Sequence, residues 1–490
     1  MHCKDTCLIV DLREGQDLAE ISNMIAVLSA AGWKTDIALK VYSGEALKLA
    51  RKAADQGYDA IIAYGGDGTL NQVINGVMNV GSKSIVGVIP GGTANEWAGE
   101  ISVPEDHVKA ALTLVNSDVR KVDLGHVSVA GLSLPDAAQT QGNAPAKDTA
   151  KGKESKKKKK LSAGTRPYFL LMAGLGVDAA VIAKTSKSLK QHMGRLAFDA
   201  AAVKELPRQQ PFAVEIQATD KNGNTERWQG EALQIFIANT RRYANMVEVT
   251  SDAYLDDGIL DVCVITSGNP LKTMEQLTSL LLRHKPDATT STFLHGAQIS
   301  IRVPASIRLQ LDGNAVDLQD YLDKSEQEAL QQVPDPHEVM VNYQFKAEPH
   351  ALRMAIPRTY DDALFQHRRV AEQPEAQHNG AQVQGTQAPR PPSEAQIEAL
   401  TRDGYKVTML GSAADPARPH TYIIAGNMHK QDNDETKPVA VRVNGKAATI
   451  KRSGEYLSPT SFEQLEEGTD IVVTGKKNKR GVIRATHVIV

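Results

Sequence analysis

Residues Gly65-Gly66-Asp67-Gly68-Thr69-Leu70-Asn71 put glycines, a hydroxyl and a carboxylate into one short turn. The turn follows Tyr58-Asp59-Ala60-Ile61-Ile62-Ala63, which reads as a buried strand. It precedes Gln72-Val73-Ile74-Asn75-Gly76-Val77, which reads as the start of a helix. A strand, a glycine turn and a helix N-terminus together make an anion site. Glycine lets the backbone approach phosphate oxygens, and the first helical N–H groups point at the bound charge. Asp67 is out of place beside a bare phosphate, whose charge it would repel; a metal, a water network or a positive partner suits it better. The plain alternative is a tight turn in an α/β domain. A second turn supports the sharper reading, since the apolar run Ser84-Ile85-Val86-Gly87-Val88-Ile89 leads into Pro90-Gly91-Gly92-Thr93-Ala94-Asn95-Glu96. Thr93 can cap a helix and donate to phosphate. Loops that leave the carboxyl ends of strands in an open α/β sheet line one crevice, so both turns should face one ligand.

The elements that must position these turns alternate. Residues 7–12 read as a first strand, and Asp17 caps a helix whose apolar positions Leu18, Ile21, Ile25 and Leu28 recur at helical spacing. Gly32 ends that helix. A strand over 34–39, a helix over 45–55 and the strand before Gly65 complete a β/α alternation, which implies a parallel sheet flanked by helices. Pro104 starts one more helix. Beyond residue 121 strand-like segments dominate, at 121–129, 167–173, 211–218, 230–238, 260–266, 297–303 and 306–311, with a helical stretch near 270–284. They predict an antiparallel sandwich or curled sheet. Residues 134–166 carry a lysine block (Lys147, Lys151, Lys153, Lys156 to Lys160) and residues 370–395 are rich in Gln, Ala, Pro and Glu; both have the composition of disordered insertions or linkers. The last unit, 396–490, has strand candidates at 405–410, 420–425, 437–443, 446–451, 470–475 and 481–489. With turns at Asn444-Gly445 and Lys477-Asn478, it predicts a small β-barrel, OB-like.

Composition sets outer bounds. The chain has 490 residues, enough for two or three domains, and its net charge of −2 gives no general pull toward nucleic acid or membrane. Three cysteines (Cys3, Cys7, Cys263) cannot build a disulfide framework, so a reducing cytoplasm is expected. No signal peptide and no run of 18 apolar residues is visible, so nothing in the sequence is expected to span a bilayer.

In these turns the sequence resembles the diacylglycerol kinase-like lipid kinases, a family that includes the sphingosine kinases. Gly65-Gly66-Asp67-Gly68-Thr69 matches that family's nucleotide loop, and Pro90 to Glu96 is similar to its Pro-x-Gly-Thr-x-Asn-Asp loop. Further matches follow in order: Val122-Asp123-Leu124-Gly125, Tyr168-Phe169 with Gly174-Leu175-Gly176-Val177-Asp178, and Gly194-Arg195-Leu196-Ala197. Then come Ala253-Tyr254-Leu255-Asp256-Asp257-Gly258-Ile259-Leu260-Asp261-Val262 and Leu311-Asp312-Gly313. The resemblance spans residues 5–357. More distantly, the first loop is similar to those of NAD kinases and phosphofructokinases. The family implies an α/β nucleotide domain over 1–120, a β-rich lipid-substrate domain over 121–345 and a return segment over 346–369. The active site would lie in the cleft between the two domains.

Phosphoryl transfer needs a held triphosphate, a divalent cation and a base near the attacking hydroxyl. The resemblance assigns ATP to Gly65, Gly66, Asp67, Gly68, Thr69, Leu70, Asn71 and Thr93. It assigns magnesium to the Asp257 carboxylate with the backbone oxygens of Tyr254 and Ile259, and the base to Asp312. Three departures stand out. Lys40 replaces a family Thr, Asp11-Leu12-Arg13-Glu14-Gly15 replaces the family's Asn-Pro-x-x-Gly opening, and Asn314 replaces the Glu of Asp-Gly-Glu. The expected partner is a lipid alcohol at a membrane surface, with diacylglycerol the leading acceptor class and a sphingoid base the rival. A non-catalytic nucleotide- or lipid-binding regulator is the alternative from another class. The block Lys147–Lys160 would add about 1 kcal/mol of attraction per lysine at an anionic surface, or be a solvated tail. This describes a cytoplasmic protein, peripheral to the membrane. No base-stacking aromatic set points to nucleic acid, and a homo-oligomer is compatible with the sequence.

Overall fold

The computed structural model describes residues 3–11, 18–135, 165–176, 211–243, 247–266, 291–368, 393–415, 418, 420–429, 436–444, 447–451, 465–478 and 482–490. The segments expected at 194–197 and 270–284, the lysine block and nearly all of the 370–395 linker lie outside these residues.

The alternation read from the sequence is present as β1 (Asp5–Asp11), α1 (Leu18–Ala30), β2 (Lys34–Lys40), α2 (Glu45–Asp55), β3 (Ala60–Gly65), α3 (Asp67–Met78), β4 (Ile85–Pro90), α4 (Glu96–Glu100) and α5 (His107–Val115). Every residue of β3 and β4 is buried, as expected for parallel strands covered by helices on both faces. Helix α5 begins later than Pro104. Asp106 caps it, its Oδ1 accepting from the Lys109 N–H at 2.8 Å, because a carboxylate can satisfy a first-turn donor and proline cannot. The short α4 has no periodic signal of its own and escaped sequence reading.

The rest of the main body is built from β5 (Ser117–Ser133), β6 (Tyr168–Phe169), β7 (Met172–Gly176), β8 (Phe212–Thr219), β9 (Thr225–Ala238), β10 (Arg242–Tyr243), β11 (Val247–Glu248), β12 (Leu260–Thr266) and β13 (Ser291–Gly296). It continues through β14 (Gln298–Pro304), β15 (Leu309–Leu311), β16 (Asn314–Val316), α6 (Lys324–Gln332) and β17 (Met340–Pro357). Strands β2, β1, β3 and β4 are parallel neighbours, and the end of β17 joins beside β4, also parallel. The start of β17 instead pairs antiparallel with β14. One long strand therefore belongs to the parallel sheet and to the antiparallel one. Its antiparallel partner β5 follows it from Ser117 to Ser133, with a register break between Glu348 and Leu352. The boundaries expected at 120/121 and 345/346 thus fall inside continuous strands, and the two domains share one sheet.

The C-terminal unit consists of α7 (Glu394–Asp403), β18 (Tyr405–Ala414), β19 (Thr421–His429), β20 (Thr436–Asn444), β21 (Ala448–Ile450), β22 (Asp470–Lys477) and β23 (Val482–Ile489). Five strands close a barrel in the order β18-β19-β20-β23-β22 and back to β18, and β21 adds to β23. The barrel is not a loosely tethered module. Its Ala413, Ile423, Ala425, Ala440 and Val482 share a hydrophobic cluster with Met24, Val27 and Leu28 of α1 and Ala110 and Ala111 of α5. Arg442 donates Nε to the Ala30 carbonyl at 2.5 Å, and Arg418 donates to the Ala31 carbonyl at 2.8 Å while pairing with Asp415. Two guanidinium groups therefore meet carbonyls at the end of α1, where a helix has orphan acceptors and favours positive charge. Arg442→Met should cost about 1–3 kcal/mol, the scale for a charged hydrogen bond lost at a partly buried site. A thermal melt should show a midpoint lower by several degrees; an unchanged midpoint would mean the barrel docks without these bonds.

Candidate active site

The first glycine turn is folded by its own helix and by the second turn. Gly66 is the residue before α3, with φ −87° and ψ −176°, and its carbonyl accepts from the Thr69 and Leu70 N–H groups. Asp67 finds its positive partner in a helix start. Its carboxylate accepts from the Glu96 and Trp97 N–H groups at 2.9 and 3.0 Å and so locks the second turn to the first. The turns approach so closely that a Cβ on Gly92 would lie 2.3 Å from Gly66 Cα, so a side chain there would close the cradle. Asn95, at φ 49°, keeps the second turn tight by accepting from the Gly92 N–H at 2.7 Å, and Thr93 stands on that turn. Backbone N–H groups at a helix start and glycines with no room to spare fit the phosphates of a nucleotide.

Asp312 reaches this assembly from the other domain. It occupies a left-handed backbone position, φ 46°, followed by Gly313 at φ 71°, in the turn joining β15 to β16. Its carboxylate is buried and accepts four hydrogen bonds. The donors are Leu170 N–H and Asn71 Nδ2 (both 2.9 Å), Leu171 N–H (2.8 Å) and Met172 N–H (3.2 Å). A carboxylate offers about four lone-pair sites, and all are taken. Burial pushes Asp312 up to about 6, against the pull of its four donors toward the charged form. Asn71 and Asn75 on α3 both donate to the Tyr168 carbonyl, and Asn75 also accepts from the Tyr168 N–H. Asn314 turns back to donate to the Asp312 carbonyl at 2.8 Å, and a Cβ on Gly68 would lie 2.9 Å from its Oδ1. A neutral amide thus rests against the first glycine turn, at the position of the glutamate that the resemblance leads one to expect.

The loop around Asp257 is linked to this joint by a chain of bonds. Buried Asp123, on β5, accepts from Gly258 N–H and from His350 N–H at the break in β17, while its own N–H donates to the Leu255 carbonyl. Asn239 Nδ2 donates to the carbonyls of Asp123 and Leu170, and the Leu170 N–H completes the path to Asp312. Asp256 anchors the loop to the return segment by accepting from the Gln366 and His367 N–H groups.

Among the described residues, Asp257 accepts from the Ile259 N–H (3.0 Å), and burial, with Asp123 and Asp256 nearby, pushes it up to about 6. Asp261 is raised likewise to about 6, first by burial and then by Asp257. Both line a cavity of about 490 Å³ with Asp252, Tyr254, Ile259 and His295. A half-buried carboxylate with spare acceptor capacity among oxygen donors fits a hard divalent cation. No preassembled group of three or more His, Cys, Asp or Glu ligands occurs among the described residues. Such a cation would therefore rely on carbonyls and water. Lys221 donates to the Asp257 carbonyl, and the Arg241 guanidinium lies 4.6 Å from the centre of the Tyr254 ring.

Residues 6–127 match the family model for the diacylglycerol kinase catalytic domain, and residues 172–331 match that for the YegS C-terminal NAD kinase beta sandwich-like domain. This chain carries a diacylglycerol kinase-like catalytic domain. That domain is the ATP-dependent kinase module of the lipid kinases, joined here to a β-rich domain and a closed C-terminal barrel. Among curated relatives, the diacylglycerol kinase of Bacillus subtilis (strain 168) is 26% identical over 294 residues, covering 60% of this chain and 83% of that protein. The diacylglycerol kinase of Staphylococcus aureus (strain JH9) is 26% identical over 309 residues, covering 62% and 84%. A crystal structure from Bacillus anthracis str. Sterne, named as a candidate diacylglycerol kinase, shares the fold with a TM-score of 0.51 at 17% identity, covering 73% of this chain and 98% of that one. The kinase-like core thus accounts for nearly all of that structure, and this chain is longer than it.

The structure gathers Gly65 to Asn71, the Thr93 turn and Asp312 at one joint, and leaves Tyr254, Asp257 and Ile259 on a separate loop tied in through Asp123. Sequence reading gave no role to Asn75, Asn239 or Asp123, although Asp123 sits in one of the matching motifs. It also missed Glu100 on α4, a buried carboxyl pushed up to about 7 by burial, against the opposing charges of Arg242 and Arg241. Only tertiary packing gives these polar residues partners. Replacing Asp312 by asparagine sets an amide NH₂ against backbone donors and should cost about 1–3 kcal/mol for each buried N–H left unpaired. Asp312→Asn should therefore unfold at lower temperature or denaturant concentration than wild type at neutral pH. Equal stability would show that relief of the buried charge offsets the bonds the clasp loses.

Proposed function

We propose that this chain transfers the γ-phosphate of ATP to a lipid hydroxyl, with diacylglycerol as the leading acceptor. The observation that carries the reading is the joint itself, where a buried carboxylate from the β-rich domain is bonded to Asn71, one turn into the helix that starts at the glycine cradle. Gly65 to Asn71 and Thr93 hold the nucleotide's phosphates through backbone N–H groups and hydroxyls. The acceptor's hydroxyl oxygen forms the new bond to the γ-phosphorus, the β–γ bridging P–O bond breaks, and ADP leaves. Asp312 takes the hydroxyl proton. To do so it must release one of its four donors. Asn71 is its one side-chain donor and comes from the opposite domain, so opening the joint there frees an acceptor position. Asp257, with the carbonyls of Tyr254 and Ile259, would hold a divalent cation, for which magnesium is the natural choice. Such an ion supplies positive charge and fixes the loop. The saturated shell around Asp312 also favours the alternative, a regulator that binds nucleotide or lipid without turnover.

No helix among the described residues is long and apolar enough to cross a membrane. We propose cytoplasmic placement with peripheral contact to anionic lipid through Lys147–Lys160; Cys3, Cys7 and Cys263 are buried and unpaired, as a reducing compartment allows. Removing residues 147–160 should weaken binding to phosphatidylserine-containing vesicles and flatten its salt dependence; unchanged binding would sink the tether.

The reaction is tested by following labelled phosphate from ATP into diacylglycerol and a panel of other lipid alcohols in mixed micelles. Product on diacylglycerol is expected, with a rate that falls as pH drops through about 6, where Asp312 gains its proton. The sign for stability is opposite. With the folded value above the ordinary carboxylate value, ionising Asp312 weakens the fold as pH rises toward about 6, and acid below that restores the loss. No product on any acceptor despite ATP binding would favour the regulator.

A further inference from the structure

We propose that Lys40 is a phosphate-binding, nucleotide-specifying residue of this chain, and that Asp11 is an internal anion that keeps Lys40 and Thr69 in place until nucleotide arrives. This rests on the nucleotide-binding reading above. Strands β1 and β2 are parallel with Asp11 opposite Lys40 in register, so both side chains stand at the carboxyl ends of adjacent strands, on the crevice side of the sheet. Lys40 Nζ lies 2.5 Å from Asp11 Oδ2, and the same oxygen accepts from Thr69 Oγ1 at 2.5 Å. Both charged side chains are mostly buried, with 15% and 21% exposure. A Cβ on Gly65 would lie 3.1 Å from Asp11 Cβ, which puts the carboxylate against the glycine turn.

One anionic oxygen is thus gripped by an ammonium and by a hydroxyl from the first turn of α3. That is the donor set a nucleotide phosphate oxygen would take at the same helix start. An ion pair serving only to tie β1 to β2 would not need the helix hydroxyl on the same oxygen. An arriving polyphosphate repels Asp11 and competes for its two donors. Lysine suits the exchange, because its charge is compact and its four-carbon stem is flexible. The two departures from the family pattern, at positions 11 and 40, are therefore one paired change.

The test is equilibrium binding of ATP, ADP and AMP, without acceptor lipid, to the full chain and to Lys40→Thr, Lys40→Arg and Asp11→Asn. Lys40→Thr should weaken ATP by about tenfold or more, the scale of one charge-assisted hydrogen bond. The loss should shrink toward AMP, and Lys40→Arg should retain most of the affinity. Asp11→Asn should bind ATP more tightly, since a neutral amide competes less with phosphate. Equal losses for all three nucleotides, or none, would overturn the proposal. If Lys40→Thr does not fold, Asp11→Asn carries the test, and weaker ATP binding by it would overturn the proposal. Wild type that binds none of the three would overturn the nucleotide reading and this inference with it.

Discussion

The structure turns on the Asp312 carboxylate and the four N–H groups that hold it. Burying an ion is costly unless it is hydrogen-bonded, and here one backbone segment and one side chain supply the bonds. The donors come from the Leu170–Met172 segment and from α3, so the clasp joins the first glycine turn and its helix to the β-rich domain. Asn75 repeats the link a turn later on α3 by gripping both the N–H and the carbonyl of Tyr168. The left-handed backbone at Asp312 and Gly313 points the carboxylate inward, a local strain retained because the surrounding bonds hold it.

The clasp can act across domains because the sheet crosses them too. Strands β5 and β17 run through both, and the break between Glu348 and Leu352 is the place where the pairing changes character. Asp123 occupies that break and ties it to the Asp257 loop, so that loop and the Asp312 joint are connected through the shared strands. The barrel supports the same scaffold from the opposite side of the sheet's first helix. Its two arginines and its small apolar residues complete the packing of α1 and α5, which makes it part of the nucleotide domain's fold.

Much of this was legible from residue order. Glycine turns after apolar runs located both strand-to-helix turns, because strand, turn and helix start are local events. The barrel was legible too, since its strands alternate and its turns carry short polar residues. What escaped reading depends on distance. The carboxylate of Asp67 looked misplaced because its partners, the N–H groups of Glu96 and Trp97, lie in the other turn. Asp312 looked like a free base because nothing near it in sequence announces the donors at 170–172. Lys40 and Asp11 looked like two separate losses, and only the parallel register of β1 and β2 makes them partners. The domain boundaries were drawn where composition changes, yet β5 and β17 pass through those positions unbroken.

The most direct test of the central claim is a crystal structure of the full chain with a non-hydrolysable ATP analogue and magnesium. The account predicts the phosphates against Gly65 to Thr69 and the Thr93 turn, with the terminal phosphate turned toward Asp312. A nucleotide bound elsewhere, or one whose terminal phosphate points away from Asp312, would contradict it.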